Sequence, residues 1–72
     1  MTLMKHLRLE RGLSQQALGY RAGLQAGEIS RIERRLAVPS DRQRSRIARA
    51  LKIEAEEILT EVDAYEPTVA AR

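Results

Sequence analysis

Apolar residues at the start of the chain recur near the 3.6-residue period of a helix, from Leu3 to Leu9. Thr2 comes directly before this pattern and can cap a helix through its hydroxyl group. Gly12 follows it, at the place where helices often end on a left-handed residue. The pattern therefore predicts a first helix over Leu3–Arg11.

Two further helices are predicted around a very short turn. Ser14 can cap a second helix, and Gly23, which adopts positive φ without a Cβ clash, can end it. The apolar pattern then restarts and predicts a third helix over Gln25–Arg34. Gly19 costs about 1 kcal/mol inside the second helix, so we expect the third helix to cross closely there. The alternative is a tolerated surface glycine.

The second half of the chain predicts two more helices. Pro39 prevents helix three from continuing, and Ser40 can cap a fourth helix over Asp41–Leu51. A short fifth helix is expected over Glu54–Leu59. Residues 63–72 have little periodic apolar content and are expected to be frayed or disordered.

These elements predict an all-α fold. We expect a single small domain over residues 1–60 and a C-terminal tail over residues 61–72, either disordered or contributing to dimerisation. No cysteine is present, which suits a reducing cytoplasm. No apolar run reaches the roughly 18 residues of a membrane span, and no signal peptide is recognisable, so a soluble cytoplasmic protein is expected.

Charge divides the chain into a basic body and an acidic end. Residues 1–52 carry 12 Lys and Arg against 4 Asp and Glu, or +8, whereas residues 53–72 carry 1 against 6, or −5. A body with this charge suits a polyanion such as DNA. A solvated charged surface without a partner is the alternative.

Three segments carry a resemblance to a known family: "LRLERGLSQQALGYRAGL", "EISRIERRLAVPS" and "IARALKIEAEEIL". In order and spacing they resemble the Xre/Cro/CI-type helix-turn-helix proteins, which include the lambda-like repressors. The resemblance implies a compact five-helix lambda-repressor-like domain whose helices 2 and 3 form the helix-turn-helix. The matching positions in that motif are Gln15, Leu18, Gly19, Gly23, Leu24, Ile29 and Ile32.

Helix 3 is the candidate reader of DNA bases, since the major groove admits one helix. If Ile29 points to the core, the 100° step per residue places Ile32, Glu33 and Leu36 near it. The residues that it turns outward, toward DNA, solvent or a partner, are Gly27, Glu28, Ser30, Arg31, Arg34 and Arg35. Arg31 can contact guanine O6 and N7, and Ser30 can bond to several base edges. The candidate base-reading residues are Ala26, Gly27, Glu28, Ser30 and Arg31.

Three of these candidates have alternative interpretations. Glu28 can accept a bond from cytosine N4, or phosphate repulsion can turn it away. Ala26 and Gly27 stand where family members often carry polar base-reading residues, and they offer only a methyl contact or a close backbone approach. Gly27 thus either removes bulk at the groove or reflects weak base specificity.

Phosphate contacts are expected beside the reading helix. The resemblance assigns one to Gln15, at the start of helix 2, where free backbone amides also favour an anion. Arg34, Arg35 and Arg42 are further candidates. Five other arginines either join these phosphate contacts or are solvated surface charges, and none is assigned a role from the sequence: Arg11, Arg21, Arg44, Arg46 and Arg49.

Two further features follow from the resemblance. Arg8 and Glu33 match a pair that the family uses as an internal salt bridge. Arg35 stands where the family usually has a glycine that ends helix 3 in the left-handed conformation. Helix 3 is therefore expected either to continue toward Leu36 or to be followed by a rebuilt turn.

No catalytic, metal or cofactor site is predicted. The single histidine, His6, has no cysteine or suitably spaced carboxylate nearby. Glu56 and Glu57 are adjacent, so on a helix they point about 100° apart and cannot act as a facing acid and base. No glycine-rich phosphate loop is present. We expect that the protein is not an enzyme.

Two functions remain. The first is a sequence-specific DNA-binding transcription regulator, expected to be a repressor, which binds a pseudo-palindromic site on double-stranded DNA as a homodimer. Its dimer contact is expected around Ile58, Leu59, Val62 and Tyr65. The second is a module of the same fold that binds a partner protein such as a toxin or a polymerase subunit.

Overall fold

The computed structural model describes residues 1–63, and over that range the chain is helical. Its elements are α1 (Leu3–Glu10), α2 (Gln15–Ala22), α3 (Ala26–Glu33), α4 (Asp41–Leu51) and a 3₁₀ turn (Ala55–Glu57). The all-α prediction is confirmed for the described residues. The expected count of five helices is not confirmed for this range: four elements are α-helices, and the fifth is a single 3₁₀ turn.

The segment that follows the 3₁₀ turn pairs with the start of α1. The carbonyl of Ile58 accepts a hydrogen bond from Met4 N at 3.0 Å, and the carbonyl of Thr60 accepts one from Leu3 N at 2.8 Å. The first amides of a helix have no partner within that helix. Ile58 and Thr60 supply partners for two of them, so the segment after the 3₁₀ turn is bound to the start of α1.

Three of the helices begin at the hydroxyl residues that the sequence predicts. The side-chain oxygens of Thr2, Ser14 and Ser40 each accept a hydrogen bond from the backbone N–H three residues later, at 3.2, 2.9 and 3.1 Å. Each bond satisfies one orphan amide of its helix. These helix starts are therefore readable from the sequence to within a residue.

The turn between α2 and α3 depends on two glycines. Gly23 ends α2 in the left-handed conformation, with φ 72°. Gly19 is buried, and a Cβ placed on it would lie 2.5 Å from the carbonyl oxygen of Leu24. The close approach at Gly19 is thus to the turn that leads into α3, whereas the sequence predicts an approach to helix 3 itself.

The core is formed by residues from all four helices and from the segment that follows the 3₁₀ turn. Leu24 and Leu59 pack against it from the side. Helix α2 packs against both α3 and α4, so the position of α3 is fixed by the core. The fully buried apolar side chains are Met4, Leu18, Ile29, Ile32, Ile47, Leu51 and Ile58.

Helix α3 ends at Glu33, and Arg35 adopts the left-handed conformation with φ 61°. Leu36 N donates to the carbonyl of Arg31 at 2.8 Å, and Arg35 N donates to that of Ile32 at 3.0 Å. This is the hydrogen-bond pattern of a glycine-ended helix, formed here by an arginine. Neither a longer helix nor a rebuilt turn is found. Leu36, expected near the core, is 65% exposed because the helix stops before it.

The N-terminal residues are bound to residues that follow Thr60. Thr2 and Glu61 form an isolated antiparallel bridge, and Val62 N donates to the carbonyl of Met1 at 2.8 Å. Specific contacts therefore continue for two residues past the expected domain end. The expected disorder of the tail beyond residue 63 lies outside the described residues. Within residues 1–63, no helix is both long and apolar enough to cross a membrane.

Candidate nucleic-acid interface

One face of α3 is available to a ligand. The opposite face buries Ile29, Ile32 and Glu33, as the 100° step predicts. Arg31 is exposed in the last turn of the helix. A Cβ on the exposed Gly27 would meet only Nη1 of Arg31, at 3.9 Å. The guanidinium group of Arg31 therefore lies back along the helix beside Gly27, where no side chain obstructs it.

The remaining α3 candidates are less open. Ala26 and Ser30 are half-buried. The carboxylate of Glu28 accepts a hydrogen bond from Gln25 N at 2.8 Å, which caps α3, and a weaker one from Nε2 of Gln43 at 3.3 Å. Glu28 is thus engaged in holding the start of α3 to α4. Each of its two oxygens keeps acceptor capacity beyond these bonds, so a contact with cytosine N4 remains open to it.

A buried ion pair connects α1 to α3. Arg8 Nε lies 2.7 Å from Oε2 of Glu33, and Arg8 Nη2 lies 3.1 Å from Oε1, so the pair is bidentate. Arg8 Nη1 also donates to the carbonyl of Leu13 at 2.9 Å. Only 1% of the Glu33 side chain and 7% of the Arg8 side chain are exposed. The pair fixes the inner side of α3, opposite its exposed face.

Gln15, a candidate for phosphate binding, belongs to the same network. Its Nε2 donates to Oε1 of Glu33 at 3.1 Å. Because this amide nitrogen has a second hydrogen, it retains one donor for another acceptor. The side chain of Gln15 is therefore held beside the start of α2, and Glu33 connects it to Arg8.

The three arginine candidates for phosphate binding differ in their surroundings. Arg34 and Arg42 are exposed, and neither takes part in an ion pair recorded within residues 1–63. Nη2 of Arg35 instead donates to Oε1 of Glu61 at 2.7 Å and to the carbonyl of Leu59 at 3.2 Å. Arg35 thus connects the end of α3 to the segment after the 3₁₀ turn.

Glu61 has two cationic partners. Its Oε2 lies 2.7 Å from the N-terminal ammonium group, and its Oε1 binds Arg35. Hydrogen bonds from the ammonium group and then from Arg35 hold the pKa of Glu61 below its ordinary value of 4.5. The carboxylate is exposed, so salt screens these attractions.

Two exposed residues of α2 adjoin α3, and neither is singled out by the sequence pattern above. Gln16 and Tyr20, with Leu24, Gln25 and Ala26, line an open groove of about 340 Å³. Tyr20 is 88% exposed. The i, i+4 spacing of Gln16 and Tyr20 places them on one face of α2. This i, i+4 spacing is the sequence signal from which the two residues could have been identified.

No group of three or more histidine, cysteine, aspartate or glutamate side chains is placed to hold a metal ion within residues 1–63. His6 lies half-buried on α1.

Comparison with known proteins agrees with this geometry. A family model of a helix-turn-helix domain matches residues 2–60. The chain therefore belongs to a helix-turn-helix family, a class of DNA-binding regulators. No curated protein and no solved structure matches the chain.

Proposed function

We propose that the protein is a sequence-specific DNA-binding transcription regulator of the Xre/Cro/CI type, acting as a repressor in the cytoplasm at the nucleoid. The observation that carries the proposal is the exposed Arg31, on the face of α3 opposite Ile29 and Ile32. A helix with one face in the core and an arginine on the other can enter the major groove.

The residues of α3 have distinct roles in this proposal. Arg31 reads a guanine through O6 and N7, and Ser30 bonds to an adjacent base edge. Ala26 offers a methyl contact to thymine, and Gly27 leaves room for Arg31. Glu28 acts first in the cap, because Gln25 N and Gln43 already occupy its carboxylate.

Phosphate contacts surround these base contacts. Arg34 and Arg42 are exposed and bind the DNA backbone, and Gln15 contributes at the start of α2. We leave Arg35 out of this set, because binding phosphate requires its guanidinium group to leave Glu61 and Leu59.

The proposed regulator binds as a homodimer. A module of this size makes few base contacts, and two modules on half-sites about one helical turn apart multiply them. Of the dimer contacts expected from the sequence, Ile58 is wrong, because its side chain is fully buried in the core. Leu59 also packs against the core, Val62 is half-buried, and Tyr65 lies outside the described residues. Sedimentation with and without operator DNA tests the dimer, and a monomer in both conditions contradicts it.

A second candidate function is a protein-interaction module of the same fold. One observation favours it: the first turn of α3 offers no free polar side chain, since Ala26 and Gly27 lack one and Glu28 is engaged in the cap. In this case helix α3 binds a partner protein, and contact with DNA is secondary or absent.

A matched pair of variants distinguishes the two functions. Arg31→Ala is expected to weaken DNA binding by about 1–3 kcal/mol of free energy and to relax the base preference at one position of the site. Arg34→Ala is expected to weaken binding equally on all DNA sequences. The slope of log K against log salt is expected to fall by about 1. If neither variant changes DNA binding, the protein-interaction module is favoured.

A further inference from the structure

A second basic surface adjoins Tyr20, the residue that also lines the groove at the start of α3. It is an open concavity of about 490 Å³ between α2 and α4, around the left-handed Gly23. We call it the α2–α4 basic face and define it by Tyr20, Arg21, Arg46 and Arg49.

Within residues 1–63, the arginines of this face have no carboxylate partner. The salt bridges recorded for residues 1–63 include none of the three. Arg46 donates only a long hydrogen bond, 3.4 Å, from Nη1 to the carbonyl of Gly23. Arg21 and Arg49 are exposed. Three unneutralised guanidinium groups around one concavity create a positive potential that attracts anions.

The face is continuous with the proposed reading surface. Tyr20 lines both this concavity and the groove that it forms with Gln16 and Ala26 at the start of α3. A duplex that holds α3 in its major groove carries a phosphate charge about every 1.7 Å of its axis. Phosphates just outside the half-site are therefore the nearest polyanion available to the basic face.

We propose that the α2–α4 basic face binds the phosphodiester backbone of DNA flanking the half-site. This inference rests on the proposed DNA-binding function and adds a second contact area to it. Arginine is suited to phosphate because its planar group donates two parallel hydrogen bonds. The tyrosine hydroxyl is a further phosphate donor. The contact carries no base preference, so its effect appears in affinity and in salt dependence.

The test compares wild type with the double variant Arg21→Gln/Arg49→Gln. Glutamine keeps the helix propensity close to that of arginine. Arg46 is left intact, because it also contacts the Gly23 carbonyl. Lys5→Gln, on α1 and outside the face, controls for the loss of a charge alone. Thermal melts verify that the variants fold.

Dissociation constants are measured on a random-sequence duplex between about 50 and 200 mM salt. The slope of log K against log salt is expected to fall by about 0.9 for each phosphate that the variant no longer neutralises, or about 1.8 for the double variant. Lys5→Gln is expected to keep the wild-type slope. Equal slopes for wild type and the double variant would overturn the proposal and favour an acidic protein segment as the ligand of the face.

A duplex trimmed to the selected operator provides a control on the DNA side. If flanking phosphates bind the face, wild type and the double variant differ much less on the trimmed duplex than on the long one. An equal difference on both would contradict the flanking location. Failure of the proposed regulator gives a different result. Wild type then binds the long duplex with a steeper salt dependence than the double variant, but no sequence is enriched from a random pool.

Discussion

Replacing Glu33 with alanine is expected to destabilise the fold strongly, although Glu33 is polar and does not face the proposed ligand. The substitution removes both oxygens that bind Arg8, at 2.7 and 3.1 Å, and the acceptor of Gln15. The guanidinium group of Arg8 then remains buried with a single acceptor, the carbonyl of Leu13. A buried charge without its counterion is the costly product of this change.

The magnitude follows from burial. Removing one partner of a buried pair costs about 3–5 kcal/mol, and the remaining bond to Leu13 favours the lower end. For a domain of 60–100 residues, each kcal/mol lowers Tm by about 4–8 °C, so a cost of about 3 kcal/mol corresponds to about 12–24 °C. Such a loss is a large part of the roughly 5–15 kcal/mol that stabilises ordinary domains.

Thermal melts followed by circular dichroism measure this effect, with Arg8→Met/Glu33→Leu as the matched control. Because the double variant leaves no unpaired charge and keeps similar volume, it is expected to melt well above Glu33→Ala. A Glu33→Ala melt within about 3 °C of wild type would refute the reasoning, since that shift corresponds to less than about 1 kcal/mol. A double variant no more stable than the single one would refute the assignment of the loss to the stranded charge.

Four further substitutions test other parts of the structure. Gly19→Ala is expected to lower the free energy of unfolding by about 1–3 kcal/mol, because the added Cβ would lie 2.5 Å from the Leu24 carbonyl oxygen. Gly27→Ala has open space and is expected to be neutral or slightly stabilising. Equal melting temperatures for the two variants contradict this. Lys52 has φ 61°, so Lys52→Gly is expected to stabilise the protein by about 0.5–1 kcal/mol, and a denaturation midpoint below that of wild type contradicts this. Glu61→Gln is expected to lower Tm at pH 7, and the gap to wild type is expected to close as pH falls from 4.5 through the depressed folded pKa; a gap independent of pH contradicts this.

Local sequence signals predicted much of the backbone. Thr2, Ser14 and Ser40 cap their helices because a hydroxyl oxygen can satisfy an orphan amide, and this chemistry depends only on neighbouring residues. Gly23 ends α2 for a similarly local reason. The apolar spacing placed Ile29 and Ile32 in the core by helix geometry alone.

Long-range contacts decided the features that sequence patterns did not predict. Arg35 keeps a left-handed conformation with its side chain on Leu59 and Glu61, which are more than 20 residues away. The segment after the 3₁₀ turn is bound to the start of α1 by hydrogen bonds from Met4 N and Leu3 N. No periodic pattern predicts such partners.

The candidate site also combines features that the sequence predicted with features that depend on long-range contacts. The helix step indicated that Arg31 points outward, and Arg31 is exposed in the structure. The hydrogen bond between Glu28 and Gln43 depends on how α2 positions α3 and α4 relative to each other, and sequence spacing does not encode it. The concavity around Tyr20 likewise requires α2 and α4 side by side.

The central claim is that the exposed face of α3 reads DNA sequence, and the most direct measurement is selection of bound sequences from a random duplex pool at near-physiological salt. Wild type and Arg31→Ala are selected in parallel. We expect an enriched inverted repeat for wild type, with half-sites about one helical turn apart and a guanine whose preference is lost in Arg31→Ala. No enriched sequence for wild type, with binding retained only at low salt, would contradict the claim.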